Sequence, residues 1–279
     1  MIIGLDVGAS FAKAVLVDEN LKIIDKHILP VEELKTAALR ILDFLINSFG
    51  RDYGDVIDAV AASGGGSRFI GNEVLGLPVR RVDEVRAIGL GGLLLAKRSE
   101  GLIVSAGTGT ALIAAYGEGN VIKHVGGTGV GGGTIIGLSR RILGVTDFET
   151  LENMAMNGNA NEVDLTVGDI VGGPIGIVPA EATASNLAKL AYESNPNDVA
   201  AGIFNMVSQT IGVIAAMAAK AYGLEDSVII TGMLAKSRVA SKIICETARL
   251  FGSAAHVPEN CEFSCALGAA ALAIQERNI

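Results

Sequence analysis

The chain has 279 residues, of which 30 are acidic and 22 basic, a formal net charge of −8, and half of them are hydrophobic. This composition supplies a sizeable core and excludes global disorder, while the acidic balance excludes a nucleic-acid footprint, which takes a basic stripe or patch. Three cysteines (Cys245, Cys261, Cys265) and three scattered histidines (His27, His124, His256) exclude a disulfide framework and a zinc centre.

No apolar stretch reaches the ~20 residues that a bilayer crossing takes. The opening MIIGLDVG lacks a basic segment followed by an apolar core, so the expectation is a cytoplasmic protein without a membrane partner. The length suggests two lobes.

In chain order, IIGLDVG, FAKAVLVD and LKIID read as three strands separated by turns, rich in β-branched and aliphatic residues. Residues 32–49 change to helical spacing, with Leu34, Ala38, Ile41, Leu42, Leu45, Ile46 and Phe49 on one stripe. A buried-type strand (Val56–Ala62), a glycine turn (Gly64–Gly66), a short strand (Val79–Val82) and a helix from Asp83 to Lys97 follow.

The opening pattern then returns. LIVSAGTGT is strand into glycine turn, TALIAAY a strand, GEGN a turn and VIKHV a third strand. Helices are expected at Ile135–Leu143, Val199–Tyr222, Ala235–Phe251 and Ala266–Glu276, with a buried strand at Val228–Thr231. Two strand–glycine turn–strand units, each followed by helices, imply a duplicated two-lobe α/β architecture, divided at 1–98 and 99–279.

Three glycine-rich turns are the strongest chemical signal: DVGAS at 6–10, AGTGT at 106–110 and GGTGVGGGT at 126–134. Backbone without Cβ atoms can approach phosphate closely, and successive N–H groups in a tight turn make an anion-binding concavity. The third turn opens a helix, whose terminal N–H groups and dipole favour anions. None is a Walker motif, and none is a GxGxxG dinucleotide fingerprint. One such turn reads first as a hairpin. Three together, two with Ser or Thr hydroxyls beside the glycines, point to a nucleotide held between two lobes.

Asp6 ends the first strand, where a carboxylate can hold Mg²⁺ through water or cap its own turn. Lys13 can reach a phosphate or line a solvated face. Glu84 begins a helix behind Asp83: it is either the carboxylate that a phosphotransferase to an alcohol needs, or a first-turn Glu favoured by the dipole. Phe148 is an adenine platform or a core residue.

Taken together these segments resemble the type II pantothenate kinases of the acetate/sugar kinase, Hsp70 and actin superfamily. The densest match is residues 123–173, KHVGGTGVGGGTIIGLSRRILGVTDFETLENMAMNGNANEVDLTVGDIVGG, with AGTGTALIAAY, VIITG and PENCEFSCALGAAAL also fitting. The resemblance implies two ribonuclease-H-like lobes, as in actin-like ATPases, closing over ATP. It implies phosphorylation of the primary hydroxyl of pantothenate, the first step of coenzyme A biosynthesis, and a homodimer with the long helices at its interface. By it, Glu84 is the general base and contacts substrate. Gly8, Ala9, Ser10, Phe11, Ala12 and Lys13, then Thr108 and Gly109, then Gly132, Gly133, Thr134, Ile135 and Ile136 hold the ATP phosphates. Phe148 and Met233 lie at the nucleotide, and Asp6 orients Mg²⁺.

Two positions depart from the family pattern. Ala9 stands at the second glycine of the first loop. His124, beside Lys123, stands where the family has a substrate-contacting Arg; it is shorter and lacks the bidentate fork. Either Lys123 substitutes for that Arg or the substrate differs. Other readings are a kinase for a sugar or pantetheine-like alcohol, an activator of a radical dehydratase, and an actin-like scaffold. The sugar kinases of the repressor-like group carry a Cys/His zinc motif that is absent here, and the activators place cluster cysteines near the second glycine turn, whereas all three cysteines here follow residue 244.

Overall fold

The computed structural model describes residues 1–53 and 57–276. Val56, the expected start of the fourth strand, and the side chains of Leu45, Ile46 and Phe49 in the expected stripe lie outside what is described. The first half contains β1 (Ile2–Val7), β2 (Phe11–Val17), β3 (Ile23–Pro30), α1 (Leu34–Tyr53), β4 (Ala59–Ser63), β5 (Glu73–Val74), β6 (Leu77–Arg81) and α2 (Glu84–Ala96). The second contains β7 (Gly101–Ala106), β8 (Thr110–Tyr116), β9 (Val121–Thr128), α3 (Gly132–Ile142), α4 (Phe148–Met156), β10 (Leu165–Thr166), α5 (Val167–Val171) and β11 (Thr183–Ser185). It ends with α6 (Pro196–Tyr222), β12 (Val228–Thr231), α7 (Arg238–Leu250), β13 (Ala255–His256) and α8 (Ser264–Gln275).

The two large sheets repeat one topology. In the first, ordered β3-β2-β1-β4-β6-β5, an antiparallel meander is extended by β4 parallel to β1 and β6 parallel to β4. In the second, ordered β13-β12-β7-β8-β9, the meander β7-β8-β9 is extended by β12 parallel to β7 and β13 parallel to β12. The fold is therefore a duplicated ribonuclease-H-like one, as the sequence leads one to expect. The central strands read as continuous apolar runs because both faces are covered: every residue of β1 and β4 is buried.

Helices α2 and α8 cross between the sheets at a backbone separation that only glycine permits. A Cβ at Gly91 would lie 1.8 Å from the Ser264 carbonyl oxygen, and one at Gly268 would lie 1.8 Å from that of Ala87. The small residues of α8 let the helix press on β1 as well, where a Cβ at Gly4 would meet the Ala266 carbonyl at 2.0 Å. Helix α6 is 27 residues long and apolar enough by composition to cross a bilayer, a length that counting apolar runs does not reveal, since Ser208, Gln209 and Thr210 interrupt it. It packs under the second sheet with Phe204 at its centre, and 67% of its most apolar window is buried.

Several boundaries differ from the sequence expectation for identifiable reasons. Strand β3 runs on to Pro30 because Lys26–Leu29 pair with β2. The expected helix Ala235–Phe251 is divided: a 3-10 turn (Met233–Lys236) ends at Ser237, whose hydroxyl caps α7 by accepting from the Ala240 N–H at 3.0 Å.

Candidate active site

The site is built where β1 ends and β2 begins. Asp6 and Lys13 are opposite each other in the β1–β2 register, and the Lys13 Nζ lies 3.0 Å from Asp6 Oδ2, both side chains being almost buried. Burial works against the Lys13 ammonium, but the Asp6 carboxylate, by charge and hydrogen bond, holds its pKa above the ordinary lysine value, with Cys265 and Glu84 adding to the rise. Gly64 closes on the other carboxylate oxygen: its φ is +81°, and a Cβ there would meet Asp6 Oδ1 at 2.6 Å. Asp6 thus offers one partly occupied carboxylate, which suits a cation that keeps most of its waters, as magnesium does. Among the described residues no group of three or more His, Cys, Asp or Glu forms a metal cluster.

Glu84 is the first residue of α2. Asp83 caps that helix, its carboxylate accepting from the Arg86 N–H at 2.8 Å, and so fixes where Glu84 emerges. The Glu84 pKa is raised above the ordinary glutamate value by burial, then by the negative charges of Asp6 and Asp83, with Lys13 opposing. Glu84 nevertheless reaches solvent, so it can exchange a proton with a bound hydroxyl. Cys265, at the start of α8, is a neighbour of the same charges. Burial, Asp6 and Glu84 push its thiol well above the ordinary value, against Ser63 and Lys13, and it closes the underside of the site as an uncharged wall. No sequence signal marked Cys265 or Ser63, because α8 packing brings the first here and the β1–β4 pairing, with Ser63 opposite Asp6, brings the second.

The two hairpin turns meet across the lobes. Ser10 Oγ and Thr108 Oγ1 share a hydrogen bond of 2.8 Å. Ala9 is absent from the residues with positive φ, so the backbone there suits a side chain with a methyl group. Among the described residues, the amides of Ala9, Ser10, Thr108 and Gly109 donate to no oxygen. The start of α3 is different. The Gly132 and Gly133 amides donate to the carbonyls of Gly107 (2.9 Å) and Thr108 (3.0 Å), Thr134 N–H and Ile135 N–H go to the Gly131 carbonyl, and the Gly131 amide goes to Thr134 Oγ1 at 3.2 Å. These glycines therefore brace the 107–109 turn: a Cβ at Gly131 would lie 2.6 Å from the Thr108 carbonyl oxygen. Ile135 is fully buried in the second core, and Ile136 packs against it.

Gly8 donates to the Phe11 carbonyl at 3.1 Å, while Ala12 faces the first core. Met233 follows Gly232, whose φ is +94° and where a Cβ would meet the Ala106 carbonyl oxygen at the end of β7 at 2.4 Å, beside the second turn. Phe148 opens α4 and tilts against Phe204, ring centroids 5.6 Å apart. From the same helix Glu152 accepts from Ser237 Oγ (2.6 Å) and Val239 N–H (3.1 Å), tying α4 to the 233–237 turn. Away from the cleft, fully buried Asp164 accepts from the Leu187 N–H (2.7 Å), Asn205 Nδ2 (2.7 Å) and Thr183 Oγ1 (3.2 Å), pinning the segment before α6. Sequence reasoning missed this network, whose members span 41 positions.

On β9, Ile122 and His124 share one face, and Lys123 points to the other. Ile122 packs with the core around α2 and α8, and His124 pairs with Ile113 of that same core; Lys123 pairs with Ala114, which belongs to the core around α6. Lys123 and His124 thus lie on opposite faces of β9.

The Fumble family model matches residues 100–270, more than half of the chain. The type II pantothenate kinase of Bacillus cereus (strain G9842) is 27% identical over 252 residues, covering 87% of each chain. That of Staphylococcus aureus (strain USA300) is 26% identical over 278 residues, covering 96% of this chain and 98% of its own. Among solved structures, the activator of the 2-hydroxyisocaproyl-CoA dehydratase from Clostridium difficile with bound ADPNP superimposes with a TM-score of 0.70, covering 99% of this chain and 95% of that one. Its 18% identity speaks to the fold alone. With two lobes of repeated topology, two facing hydroxyl-bearing turns and a family model spanning most of the second lobe, the chain belongs to the Fumble family.

Proposed function

We propose that the chain transfers the γ-phosphoryl group of ATP to the primary hydroxyl of pantothenate, giving 4′-phosphopantothenate and ADP, the first step of coenzyme A biosynthesis. The observation that carries this reading is Glu84: a solvent-reaching carboxylate of raised pKa, grouped electrostatically with the Asp6–Lys13 pair. The names of the relatives support the acceptor.

Glu84 accepts the proton as the hydroxyl oxygen attacks the γ-phosphorus, and the bond to the ADP oxygen breaks. A carboxylate with raised pKa is a stronger base than an ordinary glutamate and contributes roughly 10²–10⁴ in rate. The free amides of Ala9, Ser10, Thr108 and Gly109 and the hydroxyls of Ser10 and Thr108 orient phosphate oxygens from both lobes, and Lys13 adds a cation; most of the catalysis is positioning and charge stabilisation. Magnesium, held through water by Asp6, would neutralise phosphate charge. Gly132, Gly133, Thr134, Ile135 and Ile136 act by bracing the second turn, and Phe148 and Met233 line the nucleotide side. Lobes 1–98 and 99–279 close over ATP, and α6 contributes to a homodimer in the cytoplasm.

A second reading, a kinase for a different small alcohol, draws on His124, which lies on the α2- and α8-facing side of β9 at the position where the resemblance implies an Arg. The test is ADP release with Mg-ATP and pantothenate, pantetheine, a sugar panel or no acceptor. Pantothenate-dependent ADP release supports the proposal. Turnover only with another alcohol, or with none, overturns it.

A further inference from the structure

We infer that Ser63 is a positioning residue of the cation site: when a nucleotide draws Lys13 toward its phosphates, the Ser63 hydroxyl donates to Asp6 Oδ1 and holds that carboxylate for a hydrated divalent cation. The inference rests on the Mg-ATP part of the reading above and is independent of which alcohol accepts the phosphoryl group.

Register puts the two side chains together. Along β1, Ile2 belongs to the core around α2 and α8, whereas Ile3, Leu5 and Val7 belong to the core around α1; along β4, Ala61 belongs to the first, and Val60 and Ala62 to the second. Side chains alternate along a strand. Asp6 and Ser63, opposite each other in the parallel β1–β4 pairing, therefore lie side by side on the α8 face. Two contacts bring their polar ends together. A Cβ at Gly64, the residue after Ser63, would lie 2.6 Å from Asp6 Oδ1, so that oxygen is turned toward the end of β4. The Cys265 thiol, at the start of α8, borders both the Asp6 charge and the Ser63 hydroxyl.

The hydroxyl is idle. Ser63 is fully buried, and its Oγ has no hydrogen-bond partner among the described residues. Such a group is uncommon in a folded protein, since it has given up its hydration for nothing. Lys13 meanwhile occupies the other carboxylate oxygen, Asp6 Oδ2, at 3.0 Å. Phosphate competes for that ammonium. A nearly buried carboxylate that loses its cation has to find other donors, and Ser63 is the neighbour with one to spare.

The second lobe supplies a comparison. Thr231 ends β12 as Ser63 ends β4: it is fully buried, its Oγ1 has no partner among the described residues, and a glycine of positive φ and a 3-10 turn follow it. It shares the face of Ile229, toward α2 and α8, but the residue opposite it in the sheet is Ser105. The duplicated fold thus carries the hydroxyl twice and the acid once, so Ser63 has a charge to hold and Thr231 has none.

The experiment is calorimetric titration with the nonhydrolysable nucleotide ADPNP, once with Mn²⁺ as the cation probe and once in EDTA, together with thermal unfolding of the unliganded proteins. Ser63→Ala is expected to weaken binding of Mn²⁺-ADPNP about tenfold, the scale of one hydrogen bond to a charged group, and to leave metal-free ADPNP within about twofold. Its unliganded melting temperature should be no lower than that of the wild type, because the hydroxyl it loses serves nothing there. Ser63→Thr, which keeps the hydroxyl, should keep the gain that Mn²⁺ brings, and so should Thr231→Val. An undiminished gain in Ser63→Ala, an equal loss with and without metal, an equal loss in Thr231→Val, or a lower melting temperature for unliganded Ser63→Ala overturns the inference. If the wild type gains affinity from Mn²⁺ and Ser63→Ala gains as much, Ser63 alone is refuted. If the wild type gains nothing, the cation part of the functional reading falls and the inference with it.

Discussion

The hydroxyls of Ser10 and Thr108 lie 2.8 Å apart although 98 residues separate them in the chain. Each sits at the hairpin turn between the first two strands of its own meander, so the bond joins equivalent points of the two lobes. A triphosphate entering between the turns has to replace it. Ser10→Ala and Thr108→Ala are each expected to weaken ATP binding about fivefold, the scale of one neutral hydrogen bond. The double variant should lose more than the product of the two, because each single change already removes the bond that nucleotide must displace, and the double variant gains that relief only once. Calorimetric titration of the four proteins with ATP measures this; strictly multiplicative losses would show that the two hydroxyls act independently.

The pH dependence follows from the sign of the Glu84 shift. Its pKa is raised, so the base is lost at a higher pH than for an ordinary glutamate: the acid limb of kcat/KM should lie above the usual carboxylate range, with activity falling as pH drops through it. Asp83→Asn keeps an oxygen to cap α2 but removes one of the charges that raise Glu84. The acid limb should then move to lower pH. A limb that stays in place after Asp83→Asn would separate Glu84 from the observed ionisation.

The α2–α8 crossing gives a stability test with an internal control. Gly91→Ala puts a methyl group 1.8 Å from the Ser264 carbonyl oxygen and is expected to cost about 3 kcal/mol, because backbone must shift. Gly137, in α3, has nothing within 4 Å of its Cβ position, so Gly137→Ala should stabilise by up to about 1 kcal/mol through helix propensity. Urea unfolding of both variants checks the pair of signs.

Asp164 makes a different kind of contribution. Asp164→Ala strands the Leu187 N–H and the Asn205 amide without their acceptor and should cost about 3 kcal/mol. Because the network is remote from Glu84, kcat in the folded fraction should be unchanged. A variant with wild-type stability would mean that other acceptors replace the carboxylate.

Much of this architecture is legible in the sequence where local rules dominate. The repeated meander can be read because apolar strands and glycine turns recur, and Asp83–Glu84 is visible as a cap followed by a first-turn acid. The short strands β5, β10 and β11 escape because two or three residues carry no periodicity. The Gly132–Gly133 segment reads as an anion cradle from its glycines alone. Only tertiary packing reveals that its amides are spent on the carbonyls of Gly107 and Thr108. The choice between Lys123 and His124 is likewise a matter of register: a shift of one residue along β9 would exchange their faces.

The most direct test of the account is the product made from Mg-ATP and pantothenate by the wild-type enzyme and by Glu84→Gln, identified by mass, with ATP affinity measured in parallel. The account predicts phosphopantothenate from the wild type, a loss of roughly 10²–10⁴-fold in its rate of formation for Glu84→Gln, and nearly unchanged ATP binding. No phosphopantothenate from the wild type, or an equal rate from Glu84→Gln, would contradict it.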